Sequence, residues 1–244
     1  MKQLLKEFIN KVRIILFSIF NKDNPNLSYI ITGIIAFVMV VLGMNIFIEL
    51  TENLKDDVLV SYDKQISEYI ISFRTPFLTT YFIFMTNLGD RNGYLIALLL
   101  FAAISYLVLK KWKYVLQITS VLLLSSISSF LLKKIINRAR PTAEYLVTVT
   151  TLSYPSGHAM SAMAFYGFLM YFVYNFKINL FLKISILIVL FLIILSIGLS
   201  RIYLGVHFPS DVAGGYIAGL FWVFFSILLL NLIHIFRKDK TVSP

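Results

Sequence analysis

Two of the three histidines in the chain, His158 and His207, stand in polar clusters at the edges of long apolar runs. His207 lies four residues before Asp211, and Pro209 between them favours the start of a helix. A carboxylate at that spacing can accept a hydrogen bond from one ring nitrogen, fix the tautomer and leave the other nitrogen free to attack. His158, in Tyr154-Pro155-Ser156-Gly157-His158, belongs to a different run. It could protonate a departing oxygen and later activate water. Lys133, Arg140 and Arg201 add at least three positive charges at comparable edges. Arginine binds phosphate oxygens as a planar fork and lysine as a point charge. Ser156-Gly157-His158 directly precedes an apolar run, so its N–H groups fall at a helix N-terminus, where the dipole favours an anion. Together these residue types suit a phosphoryl group, whose transfer is helped most by positive charge placed around its oxygens.

Taken one at a time, the clusters have plainer readings. Lys133 and Arg140 would serve as interfacial anchors, Pro-Ser-Gly-His as a helix cap, and His207 with Asp211 as a structural hydrogen bond. Only an architecture that brings all of them to one face joins them into a site. Composition indicates what that architecture is. Of 244 residues, 59% are hydrophobic and 14% charged, and the mean hydropathy is +0.83. A soluble domain is nearer half apolar and a quarter charged, so lipid is the expected solvent. The absence of cysteine excludes disulfides, thiolate metal sites and iron–sulfur clusters. The net charge of +10 sits mainly at the ends of apolar runs, where it anchors and orients helices. No stretch interleaves basic and aromatic residues along a polar surface, so no nucleic-acid partner is expected.

A hydrocarbon core about 30 Å thick needs roughly 20 apolar residues in a helix. Six segments meet or approach this: Leu27–Leu50, Tyr94–Leu109, Tyr114–Leu132, Ala159–Phe176, Ile178–Leu199 and Val212–Phe236. A tight turn around Lys177 is expected between the fourth and fifth, because Lys177 and Lys183 would otherwise lie deep in lipid. A seventh run, Pro76–Leu88, is short for a span; it suits a re-entrant or interfacial helix, or one packed against the bundle. Val58–Phe73, with Ile66, Tyr69, Ile70 and Phe73 on one side, suits a surface helix. Tyr29, Tyr94, Tyr106, Tyr114, Tyr174 and Phe236 are read as an aromatic belt, and His234 as interfacial. The expected organisation is a cytoplasmic amphipathic segment over 1–26, a six-helix membrane domain over 27–236 with an outer loop over 51–91, and a cytoplasmic tail over 237–244. The short first apolar stretch, Ile14–Phe20, lacks a small-residue cleavage site and does not read as a signal peptide.

With six spans, the N-terminal segment, the two basic turns and the tail lie on one side and hold 13 of the 22 basic residues, with three acids. The loop from Glu49 to Arg91 lies opposite, with seven acids and four basic residues. Basic residues favour the cytoplasm, so both termini are expected inside. Lys133, Lys134, Arg138, Arg140 and Arg201 then fall outside, against the rule. Charges retained near membrane depth are usually functional. The same topology carries all three polar clusters to the outer face.

Lys-x6-Arg-Pro, Pro-Ser-Gly-His and Ser-Arg-x5-His-x3-Asp, in that order over Lys133–Asp211, resemble the three-part motif of the type 2 phosphatidic acid phosphatase (PAP2) superfamily, in its bacterial membrane lipid phosphatase branch. Soluble acid phosphatases and vanadium haloperoxidases share that helical core. The resemblance implies an all-α polytopic fold in a bacterial-type inner membrane, and the distribution of basic residues makes the expected site extracytoplasmic. By it, His207 is the nucleophile, His158 the acid/base and Asp211 the orienting partner. Lys133, Arg140, Ser156, Gly157 and Arg201 bind phosphate. It implies neither metal nor other cofactor. Lys134 and Arg138, beside the motif, are expected to face lipid headgroups rather than a second phosphate.

The expected activity is hydrolysis of a lipid phosphate or diphosphate through a phosphohistidine. The candidate substrates are undecaprenyl diphosphate, phosphatidylglycerol phosphate, phosphatidic acid and lipid A phosphates. Phosphate transfer from one lipid to another is the enzymatic alternative. A non-catalytic anion or lipid transporter is the alternative of a different class, although no repeat of the kind common in transporters is present. Oligomeric state is not encoded in any feature of the sequence.

Overall fold

The computed structural model describes residues 20–239 together with 5–7, 10, 11 and 13. Half of the expected N-terminal amphipathic segment, and the tail beyond 239, lie outside the described residues. Within them the regular structure is helical throughout. The elements are α1 (Leu27–Glu52, continued by a 3₁₀ turn Asn53–Lys55), α2 (Asp57–Ser72), α3 (Pro76–Leu88), α4 (Arg91–Ile104, ending in a π-turn Ser105–Leu109), α5 (Lys113–Ile136), α6 (Gly157–Asn175), α7 (Leu180–Tyr203) and α8 (Pro209–Asp239).

The helix boundaries follow local chemistry. Asp56 accepts from the Val58 N–H at 2.8 Å and caps α2. Thr75 accepts from the Leu78 N–H at 3.2 Å, with Pro76 at the first helical position of α3. Asn179 accepts from the Phe181 N–H at 2.9 Å and opens α7. Such caps satisfy donors that the first helical turn leaves free. Asn137, at φ 53°, ends α5 in the left-handed conformation that asparagine tolerates.

Among the described residues, five helical segments are long and apolar enough to cross a bilayer: Leu27–Lys55, Arg91–Leu109, Lys113–Ile136, Leu180–Tyr203 and Pro209–Arg237. They coincide with five of the six expected spans. The remaining expected span, Ala159–Phe176, forms α6, which is not among these five. Its nine buried residues identify it as an inner helix flanked by α5 and α7. The tight turn expected at Lys177 is present, and Lys183 Nζ donates to the Tyr174 carbonyl at 2.8 Å, which holds the charge at the helix end.

Contacts divide the chain into two compact units, Val40–Val223 and the residues up to Met39 with those from Phe224 onward. In the smaller unit Asn231 Nδ2 donates to Thr32 Oγ1 at 2.8 Å, and the His234 ring stacks on Tyr29 at 3.8 Å. In the larger unit α8 approaches α6 closely at Gly215 and Gly219. A Cβ on Gly215 would lie 2.6 Å from the Ser156 carbonyl oxygen, and one on Gly219 would lie 2.6 Å from that of Met160. Small residues four apart let helix backbones meet in this way.

The segment between α1 and α4 packs against the bundle. In α3, Phe82 packs against Tyr203 of α7 with ring centroids 4.5 Å apart, and Phe82, Met85 and Thr86 are buried. α2 exposes Tyr62, Ile66 and Tyr69 and buries Asp63 and Ser67, so two of its polar side chains face inward beside Ile70. Tyr94, expected in the aromatic belt, is instead buried against Phe165 and Tyr166, with ring centroids 5.5 and 6.1 Å away. Its position at the start of α4 turns the ring into the bundle, where aromatic packing is available.

Candidate active site

A cavity of about 330 Å³ opens where the ends of α5, α6 and α7 meet the loops that follow α5 and α7. Six of the eight residues expected to form the site line it: Lys133, Arg140, Gly157, His158, Arg201 and His207. Asp211 lies behind His207 and is fully buried. Ser156, at the N-cap of α6, is not on the cavity wall. Its Oγ is buried and has no hydrogen-bond partner among the described residues.

The backbone that delivers His207 depends on a turn after α7. The N–H groups of Val206 and His207 both donate to the Arg201 carbonyl, at 3.1 and 3.2 Å. Gly205 reaches this turn with φ +80°, and a Cβ there would lie 2.6 Å from the Glu144 carbonyl oxygen. Only glycine combines that dihedral with that approach.

His207 is 2% exposed, and burial pushes its imidazole down to about 3. The ring is therefore neutral at physiological pH. Its Nδ1 lies 3.2 Å from Asp211 Oδ2, and its Nε2 lies 3.3 Å from Arg140 Nη1. A guanidinium only donates, so Nε2 accepts and the proton resides on Nδ1, where Asp211 receives it. The lone pair of Nε2 is thus directed toward Arg140, at a residue that lines the cavity, and away from Asp211. Asp211 Oδ2 also accepts from the Phe208 N–H at 2.8 Å and from Ser153 Oγ. Ser153 Oγ stands 3.3 Å from His207 Nδ1 as well.

The cations are held at fixed points. Lys133 Nζ donates to the carbonyls of Leu152 and Ser153 at 2.6 and 3.0 Å. Arg140 donates to the carbonyls of Thr151 and Val206, each at 2.6 Å. Arg201 donates to Thr86 Oγ1, while its buried Nε has no partner among the described residues. An unpaired guanidinium N–H in a pocket lined by three cations is a ready donor to an anion. His158 Nε2 donates to Asp90 Oδ1 at 2.8 Å. That bond is the main reason the Asp90 carboxyl is held below the usual carboxylate range.

Three contributors escaped the motif reading. Asp90 carried no signal beyond closing the Asn87-Leu88-Gly89-Asp90 stretch, and Ser153 none beyond preceding Tyr154-Pro155. Arg138 was expected to face lipid headgroups; instead it is turned inward. Its Nη1 donates to Asp211 Oδ1 at 2.6 Å and its Nη2 to Asp63 Oδ2 at 2.8 Å. Two buried carboxylates attract a guanidinium more strongly than exposed headgroups, where water screens the charge. Lys134 does stay exposed, with its ammonium 4.3 Å above the Phe130 ring.

This all-helical membrane protein thus gathers three cations and two histidines around one cavity at an end of its inner helices. Residues 114–234 match the PAP2 superfamily. Phosphatidylglycerophosphatase B of Bacillus subtilis is 31% identical over 179 residues, covering 73% of this chain and 88% of that protein. The chain belongs to the PAP2 superfamily and is a lipid phosphatase of that type. A dihydrosphingosine 1-phosphate phosphatase of Schizosaccharomyces pombe is 28% identical over 186 residues, covering 70% of this chain and 43% of the yeast protein. Among solved structures, the transmembrane PAP2-type phosphatidylglycerolphosphate phosphatase of Bacillus subtilis superposes with a TM-score of 0.71 at 30% identity. That match covers 84% of this chain and 97% of the other. LpxE of Aquifex aeolicus shares the fold, with a TM-score of 0.51 at 24% identity, covering 66% of this chain and 92% of the other.

Proposed function

We propose that the chain hydrolyses a lipid phosphate monoester on the extracytoplasmic side of a bacterial-type cell membrane, with phosphatidylglycerol phosphate as the first substrate to test. The observation that carries the reading is the placement of the His207 ring between Asp211 and Arg140, which favours one tautomer. Nδ1–H points to Asp211, and Nε2 lies beside Arg140 at the edge of a cavity lined by three cations. In the proposed reaction Nε2 attacks phosphorus in line, and Asp211 stabilises the imidazolium that forms. Lys133, Arg140, Arg201 and the Gly157 N–H stabilise the charge on the phosphoryl oxygens, while Ser156, expected to bind phosphate, lies off the cavity wall and takes no part. His158 protonates the departing lipid oxygen, then takes a proton from water as that water attacks the phosphohistidine and releases phosphate.

The similarity to the Bacillus phosphatidylglycerophosphatase supports placing phosphatidylglycerol phosphate ahead of undecaprenyl diphosphate, phosphatidic acid and lipid A phosphates. The distribution of basic residues supports cytoplasmic termini and an outward-facing site. His207→Ala is expected to abolish phosphate release from lipid monophosphates while the protein remains monodisperse in detergent. Turnover retained by that variant would sink the nucleophile assignment. Phosphate release across a panel of mono- and diphosphate lipids then ranks the substrates.

A further inference from the structure

α2 carries a carboxylate where an outer amphipathic helix has no structural need of one. Asp63 is 2% exposed, although the same helix exposes Tyr62, Ile66 and Tyr69 to its surroundings. Its bonds lead to the catalytic dyad. Its Oδ1 accepts from the Ser210 N–H at 2.8 Å and its Oδ2 from Ser210 Oγ at 2.5 Å, at the first turn of α8. Its Oδ2 also receives Arg138 Nη2 at 2.8 Å. The other arm of the same guanidinium, Nη1, reaches Asp211 Oδ1 at 2.6 Å and Ser210 Oγ at 2.8 Å. Phe208 closes the arrangement, with its ring 4.5 Å from the Arg138 guanidinium carbon.

From these contacts we infer that Asp63 is a positioning residue for the phosphatase reaction. It acts through Arg138 to hold the Asp211 carboxylate at the angle that fixes the tautomer of His207. A guanidinium between two carboxylates is constrained by both, and its planar fork transmits the orientation of one to the other. Without Asp63, Arg138 keeps a single carboxylate partner and can rotate about it. Asp211 Oδ1 then loses a fixed donor, and the carboxylate, held only at Oδ2 by the Phe208 N–H and Ser153 Oγ, can pivot relative to His207 Nδ1. The inference rests on the proposed role of His207 and Asp211, and it makes α2 part of the machinery rather than a surface helix only.

Asp63→Asn tests it, because the amide oxygen can still accept from Ser210 while the group facing Arg138 loses its charge. With a lipid monophosphate in detergent, kcat is expected to fall by about ten- to a hundredfold, the range typical when an outer orienting partner is lost. KM is expected to change little. In an Asp211→Asn background the same substitution should cost less than about twofold, because coupled residues are not additive. With only three histidines in the chain, ¹⁵N spectra of labelled protein can read the His207 tautomer directly. The Nδ1–H form is expected to dominate in the wild type and to be mixed in Asp63→Asn.

An equal loss in both backgrounds, an unchanged kcat or an unchanged tautomer would each overturn the inference. If Asp63→Asn does not accumulate as monodisperse protein, Arg138→Gln, which removes the guanidinium through which Asp63 acts, goes through the same cycle, and the same three outcomes would overturn the inference. Full turnover in His207→Ala would overturn the proposed mechanism itself. Loss of turnover in His207→Ala with wild-type behaviour in Asp63→Asn would overturn only the role of Asp63.

Discussion

Asp90 occupies the N-cap of α4 yet caps nothing there, because its Oδ1 accepts from His158 Nε2 at 2.8 Å. An aspartate at that position ordinarily bonds the free N–H groups of the first turn. Here the carboxylate is given over to a histidine on another helix. Burial pushes the His158 imidazole below its ordinary value, and the Asp90 carboxylate, which orients the ring, works against that shift by favouring the protonated form.

The first prediction follows from that contact. Asp90→Asn is expected to lower kcat on a lipid alkyl monophosphate by about tenfold or more, within the range that general acid catalysis supplies. The loss should be smaller on an aryl phosphate such as p-nitrophenyl phosphate, whose leaving group needs no proton. Steady-state kinetics on the two substrates compare the losses directly, and equal losses would argue that Asp90 serves structure rather than proton transfer.

A second prediction concerns pH. The folded value for His207 is about 3, and burial is its main cause; the unfolded value is about 6.5. Between those values the unfolded chain binds a proton that the folded protein does not, so unfolding draws protons from solution. The contribution of neutral His207 to stability is complete above pH about 6.5 and declines as pH falls toward 3. Thermal unfolding in detergent from pH 7 to pH 4 should therefore show a steeper loss for the wild type than for His207→Gln. Parallel curves would contradict the buried neutral ring.

Gly205 supports a third. With φ +80° and the Glu144 carbonyl oxygen 2.6 Å from any Cβ, Gly205→Ala is expected to cost about 1–3 kcal/mol of stability. It should also lower activity disproportionately, because the turn sets the position of His207. A melting temperature and a specific activity both equal to wild type would refute the requirement.

The fourth addresses anion binding. Arg201→Ala removes the buried Nε–H that has no partner among the described residues. Competitive inhibition by inorganic phosphate should weaken at least about tenfold, the value of one lost charge-assisted hydrogen bond of roughly 1.5–3 kcal/mol. Arg201→Lys is expected to recover only part of the loss, since an ammonium cannot reproduce the planar fork. An unchanged inhibition constant would place phosphate elsewhere.

Much of this was legible from sequence because membrane solvent restricts the choices. In lipid every backbone polar group must be satisfied internally, so long apolar runs are helices. Five expected spans accordingly coincide with helices long and apolar enough to cross. Hydropathy read α6 less well. It lies inside the bundle, where Ser161 and the small residues Ala159, Ala162 and Ala164 are packed against protein rather than lipid. Tyr94 misled for the same reason, since an aromatic at a helix end can face lipid headgroups or neighbouring helices, and the local pattern is the same for both.

The sequence by itself determined the residue types of the site. His207 and Asp211 are one helical turn apart, so local geometry already makes them partners. Lys133, Arg140 and Arg201 are charges at the ends of apolar runs, where their cost demands a purpose. Tertiary structure alone decided the partners at long range. His158 meets Asp90 across 68 residues, Ser153 meets Asp211 across 58, and Arg138 spans to Asp63 across 75. No periodicity links such positions, because each contact depends on how separate helices pack. For Arg138 the outcome was the reverse of the expectation. A cation beside the motif reads as solvent-facing until the fold brings two buried carboxylates to it.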